Sequence, residues 1–279
     1  MKKSNCTGCI KSELKDSEQY ELKCFEYEEG IKLVKLTHDN VAKVEAFIRT
    51  DSNYRISDNA DYSPYWILEM GKHLGQIKGD PTHSFEEIVQ NLVEKLDKEN
   101  GTHLTADHDG KEIDRKTART FMVEKIVAHK EKLLDYLKNP DFEKEDNLID
   151  ILSKKTGLEN NKGRSHLSFA SKFCHYSCYF LFDDKPEQDN FSIYDRVVYE
   201  ALDYYLEHYK IKDVENYKLG SDEGGSRRYS LYQEAIDKIL DAAEERISRN
   251  GFDHLIWYYF KGNQVGKIKK QQKKQRDKR

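Results

Sequence analysis

The sequence predicts a mainly α-helical protein with a small β-hairpin near its N-terminus. Three observations predict it. Apolar residues recur at helical spacing through most of the chain from Ser84 onward. Only 4 Pro and 15 Gly occur in 279 residues, which disfavours an all-β chain built on many tight turns. Strand–turn–strand character is confined to residues 20–37.

In that segment Tyr20 to Tyr27 is strand-like, Glu28, Glu29 and Gly30 turn, and Ile31 to Thr37 returns. Asp39 is placed to cap a helix carrying Val41, Val44, Phe47 and Ile48. Residues 51–83 read as irregular, with Tyr54, Tyr62, Tyr65 and Trp66 among Arg55, Asp58 and Asp61. Ser84 and Glu87 form a capping box ahead of a helix with Ile88, Val89, Leu92, Val93 and Leu96 on one face. A single long helix is expected from about Arg115 to Lys138. A short one near 146–155 stops at Gly157. Three more follow, roughly 165–182, 195–209 and 228–249, and Phe252 to Phe260 makes a final apolar turn. The division expected is a hairpin and helix over 1–50, a helical body over 51–260 and a basic tail over 261–279.

The 11% aromatic content, with 18 Tyr, sets the chain apart from disordered proteins. No run of about 18 apolar residues occurs, so no membrane span is expected. The opening Met1-Lys2-Lys3-Ser4-Asn5 has no apolar stretch behind it, so no secretory signal is expected and the location predicted is cytoplasmic. Five cysteines, an odd number, argue against a disulfide framework. Two places have metal-like composition: the CxxC of Cys6 and Cys9, with Cys24 and His38 as nearest partners, and the run His103, Asp107, His108, Asp109. The first lacks a second CxxC and the second sits among Asn100, Gly101 and Gly110 in loop-like company, so no metal site is expected.

Net charge is −4, but residues 267–279 hold eight Lys/Arg and one Asp, a charge of +7, leaving −11 on residues 1–266. An acidic body with a basic arm fits a chain that seeks a polyanion, and a solubilising tail has the same composition.

The helix near 165–182 carries the chemistry. At about 100° per residue, Phe169, Phe173, Tyr176 and Phe180 cluster, and Leu167, Ala170, Cys174, Cys178 and Leu181 widen the apolar arc past half the circumference. Such a helix is buried on most sides. Ser168, Ser171, Lys172, His175 and Tyr179 form the remaining polar strip. Two readings of Lys172 are open. It snorkels its ammonium to solvent, or it sits desolvated in a cleft, where burial disfavours the charged form and frees the amine as a nucleophile. Asp195, ahead of Arg196-Val197-Val198, is a helix N-cap whose carboxylate is able to face the same cleft.

The stretch Ser168-Phe169-Ala170-Ser171-Lys172-Phe173-Cys174-His175-Tyr176, followed by Phe191-Ser192-Ile193-Tyr194-Asp195-Arg196-Val197-Val198, resembles the catalytic region of helix-hairpin-helix DNA glycosylases. The likeness is to the 8-oxoguanine glycosylase fold group, including its divergent bacterial and archaeal branches. It covers about residues 150–200 and, less specifically, 228–260, and implies a helical glycosylase-like domain. In that family a helix-borne lysine is followed by an aspartate opening the next helix, positions matched by Lys172 and Asp195. Tyr176 matches an aromatic that stacks on the extruded base. The resemblance adds Trp257 as a further stacking candidate. His175 and Ser168, one turn either side of Lys172, and Trp66, at the end of the aromatic segment 51–66, are further substrate-contact candidates, and Lys162, Arg164 and Arg196 supply the basic face that DNA-backbone contact requires. The pattern departs from the family at the hairpin, where Gly157 and Gly163 flank Leu158 to Lys162 and Lys172 lies nine residues after Gly163. The four-cysteine iron–sulfur cluster of some relatives is absent.

The activity implied is removal of a damaged or modified base from double-stranded DNA by a monomer, with the base flipped out, a Lys172 Schiff base and strand cleavage by β-elimination. No metal or organic cofactor is implied. An oxidised purine is the family's default base, and a hypermodified phage base would make the chain a defence enzyme. Two other readings stay open: a non-catalytic helical nucleic-acid-binding module, and a protein-interaction domain with a disordered basic tail.

Overall fold

The computed structural model describes residues 22–28, 31–50, 60–100, 102, 104, 106–108, 111–113, 115–144, 146–153, 166–214 and 226–260. The CxxC, Tyr54, Arg55 and Asp58, the hairpin region with Gly157, Lys162, Gly163 and Arg164, and the basic tail lie outside the described residues. The architecture is mainly helical, with ten helices and a small N-terminal hairpin among the described residues. No helix among them is long and apolar enough to cross a membrane.

Strands β1 (Cys24–Glu28) and β2 (Ile31–Val34) pair antiparallel, Phe25 opposite Leu33, with a bulge between Glu26 and Glu28. Helix α1 (His38–Thr50) follows. Its cap is Thr37, whose Oγ1 accepts the Asn40 amide at 3.3 Å, and not Asp39. Asp39 lies one residue inside, where its carboxylate pairs with Lys43 and Lys23.

Residues 63–73, read from the sequence as irregular, form helix α2 (Ser63–His73). Its signals are short-range: Pro64 in the first turn, where a missing N–H costs nothing, and Gly75 at φ +68 just past the end. The Gln76 amide reaches Gly71 O at 2.9 Å and the Gly75 amide reaches Lys72 O at 3.1 Å, a left-handed helix stop that suits glycine. Trp66, Ile67 and Met70 are buried beneath it. Helix α3 (Phe85–Asn100) begins as predicted, with the Glu87 amide on Ser84 Oγ at 3.2 Å and all five apolar-face residues buried. Glu87's own carboxylate pairs with His83.

The stretch read as a loop after α3 contains a second two-stranded ladder, β3 (Ala106–His108) with β4 (Lys111–Ile113). Among the described residues no group of three or more His, Cys, Asp or Glu could hold a metal ion. The long helix expected over 115–138 is two, α4 (Arg115–Ala128) and α5 (Lys130–Lys138), broken at His129. There His129 Nδ1 bonds Lys125 O at 2.8 Å, so a side chain takes a place in the helical hydrogen-bond ladder.

Helix α6 (Leu148–Ser153) is capped by Asn147, whose Oδ1 accepts the Asp150 amide at 3.0 Å. Helix α7 (Leu167–Leu181) occupies the centre, against α2, α3, α5, α6 and a 3-10 turn at Pro186–Asp189. Then come α8 (Arg196–His208), α9 (Ser226–Ala242) and α10 (Arg249–Tyr259). The last is a full helix where a turn was expected. It starts on its own cap, Ser248 Oγ accepting the Gly251 amide at 2.9 Å, and the helix expected to run to 249 ends earlier, at Ala242. Helix α1 packs on α10, and Gly251 permits it: a Cβ there would lie 2.9 Å from Val41 Cγ1.

Candidate active site

Every residue of α7 except Ser168 and Tyr179 is buried, so most of its polar strip faces protein rather than solvent. Lys172 does not snorkel; its side chain is only 4% exposed. Its Nζ donates to Asp195 Oδ2 at 2.8 Å and to the Asn100 carbonyl at 3.1 Å. Both partners follow from helix ends. Asp195, in extended backbone at φ −123 and ψ 146, caps α8 through Oδ1, which accepts the Val197 amide at 2.8 Å. Asn100 closes α3, where the last carbonyls lack intrahelical donors and carry the negative end of the helix dipole. An ammonium between a carboxylate and a helix C-terminus has both charge and hydrogen-bond compensation, without which burying it would be prohibitive.

Asn100 also reaches Tyr176. The tyrosine hydroxyl donates to Asn100 Oδ1 at 3.2 Å, and the ring is buried one turn after Lys172. The C-terminal end of α3 is itself anchored by Asp97, whose fully buried carboxylate accepts the Leu104 amide, Thr102 Oγ1 and the guanidiniums of Arg115 and Arg119 at 2.7–3.4 Å. Burial alone would push this carboxyl up; the Leu104 amide, the Thr102 hydroxyl and the two arginines outweigh it and hold the group below its ordinary value.

The structure therefore brings together Lys172, Asp195 and Tyr176, with Asn100 joining them. Sequence reasoning missed Asn100. It lies 72 residues before Lys172 and contributes a backbone carbonyl, a group no motif encodes. Ser168 is half-buried one turn before the lysine, and its carbonyl accepts the Ser171 hydroxyl at 3.2 Å.

The other expected contacts lie in different surroundings. His175 is fully enclosed, bonded through Nδ1 to Phe191 O at 2.9 Å and packed against His254 and Tyr179. Burial, with His254 beside it, pushes its pKa down to about 3, so it is a neutral core imidazole. Trp66 is buried, its indole N–H bonded to Ala60 O at 2.7 Å and its ring against Tyr65 and His83. Trp257 is half-buried on α10. Arg196 is exposed, and Glu200 pairs with it at 2.6 Å. Of the three cations expected on the DNA backbone, Lys162 and Arg164 lie outside the described residues.

Chemically, the arrangement offers a primary amine and a carboxylate in contact, with the buried Tyr176 joined to them through Asn100. Such a pair is equipped for imine chemistry at a carbonyl-level carbon, with the carboxylate exchanging protons or offsetting positive charge. Comparison with protein-family models, with curated proteins and with solved structures finds no match to this chain.

Proposed function

We propose that this chain is a DNA glycosylase with abasic-site lyase activity, using Lys172 as nucleophile and Asp195 as its carboxylate. The observation that carries the proposal is the 2.8 Å contact between the two groups, made between α7 and the N-cap of α8 and joining the lysine and aspartate that the sequence resemblance singles out. The asymmetry of exposure supports a direction of approach: Asp195's side chain is 17% exposed against 4% for Lys172, so a sugar arrives from the carboxylate side.

In the first step Asp195 takes a proton from the Lys172 ammonium. The amine's lone pair then forms a bond to the sugar C1′ as the glycosidic bond breaks, its electrons leaving with the base, which takes up the proton that Asp195 received. The C1′–O4′ bond opens, O4′ taking a proton from the substituted amine, to give an iminium between Nζ and C1′; the Asp195 carboxylate accepts a C2′ proton, the C3′–O bond breaks to release the 3′-phosphate, and water hydrolyses the iminium to free Lys172. Once it has passed that proton to the departing base, Asp195 is again a carboxylate and offsets the positive charge of the amine adduct on the sugar. Flipping the base costs a few kcal/mol and is easiest for a mispaired or damaged one. The base is an oxidised purine by the family's default, or a hypermodified phage base if the enzyme serves defence.

The enclosure of Lys172 between Asp195 and Asn100 favours a second reading, in which the pair only clamps α3, α7 and α8 together. Borohydride trapping separates the two. The proposal expects a covalent DNA adduct in the wild type, lost in Lys172→Ala, and base release from one member of a panel of duplexes carrying oxidised, alkylated or hypermodified bases. DNA binding with neither adduct nor base release would leave a binding module. No DNA affinity at low salt would leave a protein-interaction domain.

A further inference from the structure

Between the 3-10 turn and α8, residues Phe191 to Tyr194 run buried outside any helix and pair with no strand among the described residues. A buried chain of this kind must satisfy its backbone polar groups in some other way. Here side chains from three helices do so. His175 of α7 bonds Phe191 O at 2.9 Å. Tyr229 of α9 both accepts the Ser192 amide and donates to Ser192 O, each at 2.7 Å. Asp253 of α10 accepts the Ile193 amide at 2.7 Å through Oδ2. Tyr232 of α9 donates to Ile193 O at 2.7 Å. Ser171 of α7 accepts the Tyr194 amide at 3.0 Å. The next residue is Asp195, whose own amide reaches Ile193 O at 3.1 Å.

This set is expensive to assemble. Tyr229, Tyr232, His175, Ser171 and Asp253 are all fully buried, and among the described residues Asp253 Oδ1 and His175 Nε2 have no hydrogen-bond partner. Burial drives both phenols well above their usual range, so they stay neutral donors. Burial pushes the Asp253 carboxyl up as well. Apolar side chains would fill the same volume at lower cost, but they could not fix the backbone of 191–194. Ser171 is the residue before Lys172, so the cradle and the amine share helix α7.

We infer that Tyr229, Tyr232 and Asp253, with His175 and Ser171, are positioning residues that fix the backbone of 191–194 and thereby set the Asp195 carboxylate against Lys172. The inference rests on the proposed glycosylase chemistry for its consequence, not for its geometry. Displacement of a catalytic group by about 1 Å lowers a rate by about 100-fold. Tyr229 holds both polar groups of Ser192, so its hydroxyl matters most. Ile193 O keeps the Asp195 amide when Tyr232 loses its hydroxyl, so that loss is milder.

The experiment uses the full-length chain, a duplex oligonucleotide with one abasic site, and borohydride trapping under single-turnover conditions. It compares wild type with Tyr229→Phe, Tyr232→Phe, Asp253→Leu and Asp253→Asn. The rate constant at saturating duplex falls about 10- to 100-fold in Tyr229→Phe and Asp253→Leu, and less in Tyr232→Phe. Duplex affinity is unchanged, and Asp253→Asn, which keeps an acceptor for the Ile193 amide, restores the rate. Amide exchange is read in parallel. Tyr229→Phe speeds exchange at Ser192, Ile193, Tyr194 and Val197 while amides in α3 and α4 stay protected. If only the active fraction falls, with the rate constant and these amides unchanged, the inference is overturned. If wild type forms no adduct, the glycosylase reading fails, and exchange alone judges the positioning role: localised loss of protection upholds it, global loss or none removes it.

Discussion

Lys172 and Asp195 form a buried pair, and the energy of that pairing is measurable without any substrate. Lys172→Met keeps the length and apolar stem of the side chain and removes the ammonium. It leaves Asp195 with its cap bond to Val197 and 17% of its side chain open to water. Breaking a buried pair from one side costs about 3–5 kcal/mol, and the partial exposure of Asp195 puts this variant at the low end, about 3 kcal/mol. Asp195→Asn keeps the cap, since asparagine caps about as well as aspartate. It leaves the ammonium only the Asn100 carbonyl as a strong acceptor, at 3.1 Å, and costs about 2–3 kcal/mol. The double variant has neither charge to bury. Its loss is predicted to fall short of the sum of the single losses by about 2 kcal/mol. Urea unfolding of the four proteins at equal ionic strength supplies the numbers. Losses that add to within about 0.5 kcal/mol would mean that the two groups do not interact energetically, and would refute the site geometry whatever the chain's activity.

Four further outcomes are expected. Gly71→Ala destabilises by about 1–3 kcal/mol in thermal melts, because the new Cβ would lie 2.5 Å from Leu181 Cδ2 and 2.7 Å from Ile77 Cγ1 where α2 meets α7. Lys210→Gly stabilises by up to about 1 kcal/mol, because Lys210 sits at φ +57 in the left-handed stop after α8. His175 has a folded pKa of about 3, below the ordinary 6.5, so the unfolded chain binds the extra proton; its contribution to stability is complete above about pH 6.5 and is lost as pH falls toward 3, and His175→Gln should flatten urea midpoints across that window by up to about 1.4 kcal/mol per pH unit. Removing residues 267–279 should weaken DNA binding and reduce the slope of log affinity against log salt, by about 0.9 for each phosphate that the tail no longer neutralises, while leaving turnover at saturating DNA intact.

Under the proposed function the basic tail matters because of the charge split. A body carrying −11 repels DNA on average, and the +7 of residues 267–279 offsets that only locally. Arg196, the described cation nearest the candidate site in sequence, is paired with Glu200, so under the proposed function a DNA phosphate would have to compete for it.

Local rules were legible in the sequence because they operate over three or four residues. Ser84 begins α3 and Asp195 begins α8, each through a side-chain oxygen on a nearby amide. The apolar face of Ile88 to Leu96 is buried as its spacing requires. Helix α2 was missed although Pro64 and Gly75 mark its ends, since aromatic and charged neighbours masked a short apolar face. The break at His129 was missed because the apolar periodicity runs through it.

The sequence by itself determined that this is a mainly helical chain with a front hairpin, that α7 must be buried, and that Lys172 and Asp195 stand in a lysine-then-capping-aspartate order. Periodicity and capping are properties of adjacent turns, so they survive without knowledge of the fold. Only the tertiary structure decided what Lys172 touches. A helical wheel gives the width of an apolar arc but not the partner of a polar atom beside it. That partner depends on which helix end arrives there, and here the C-terminus of α3 and the N-cap of α8 both arrive at one amine. The same holds for the backbone of 191–194, whose donors and acceptors are met by phenols, a carboxyl, an imidazole and a hydroxyl from α7, α9 and α10, because a buried chain without a strand partner has to find its hydrogen bonds among whatever packs against it.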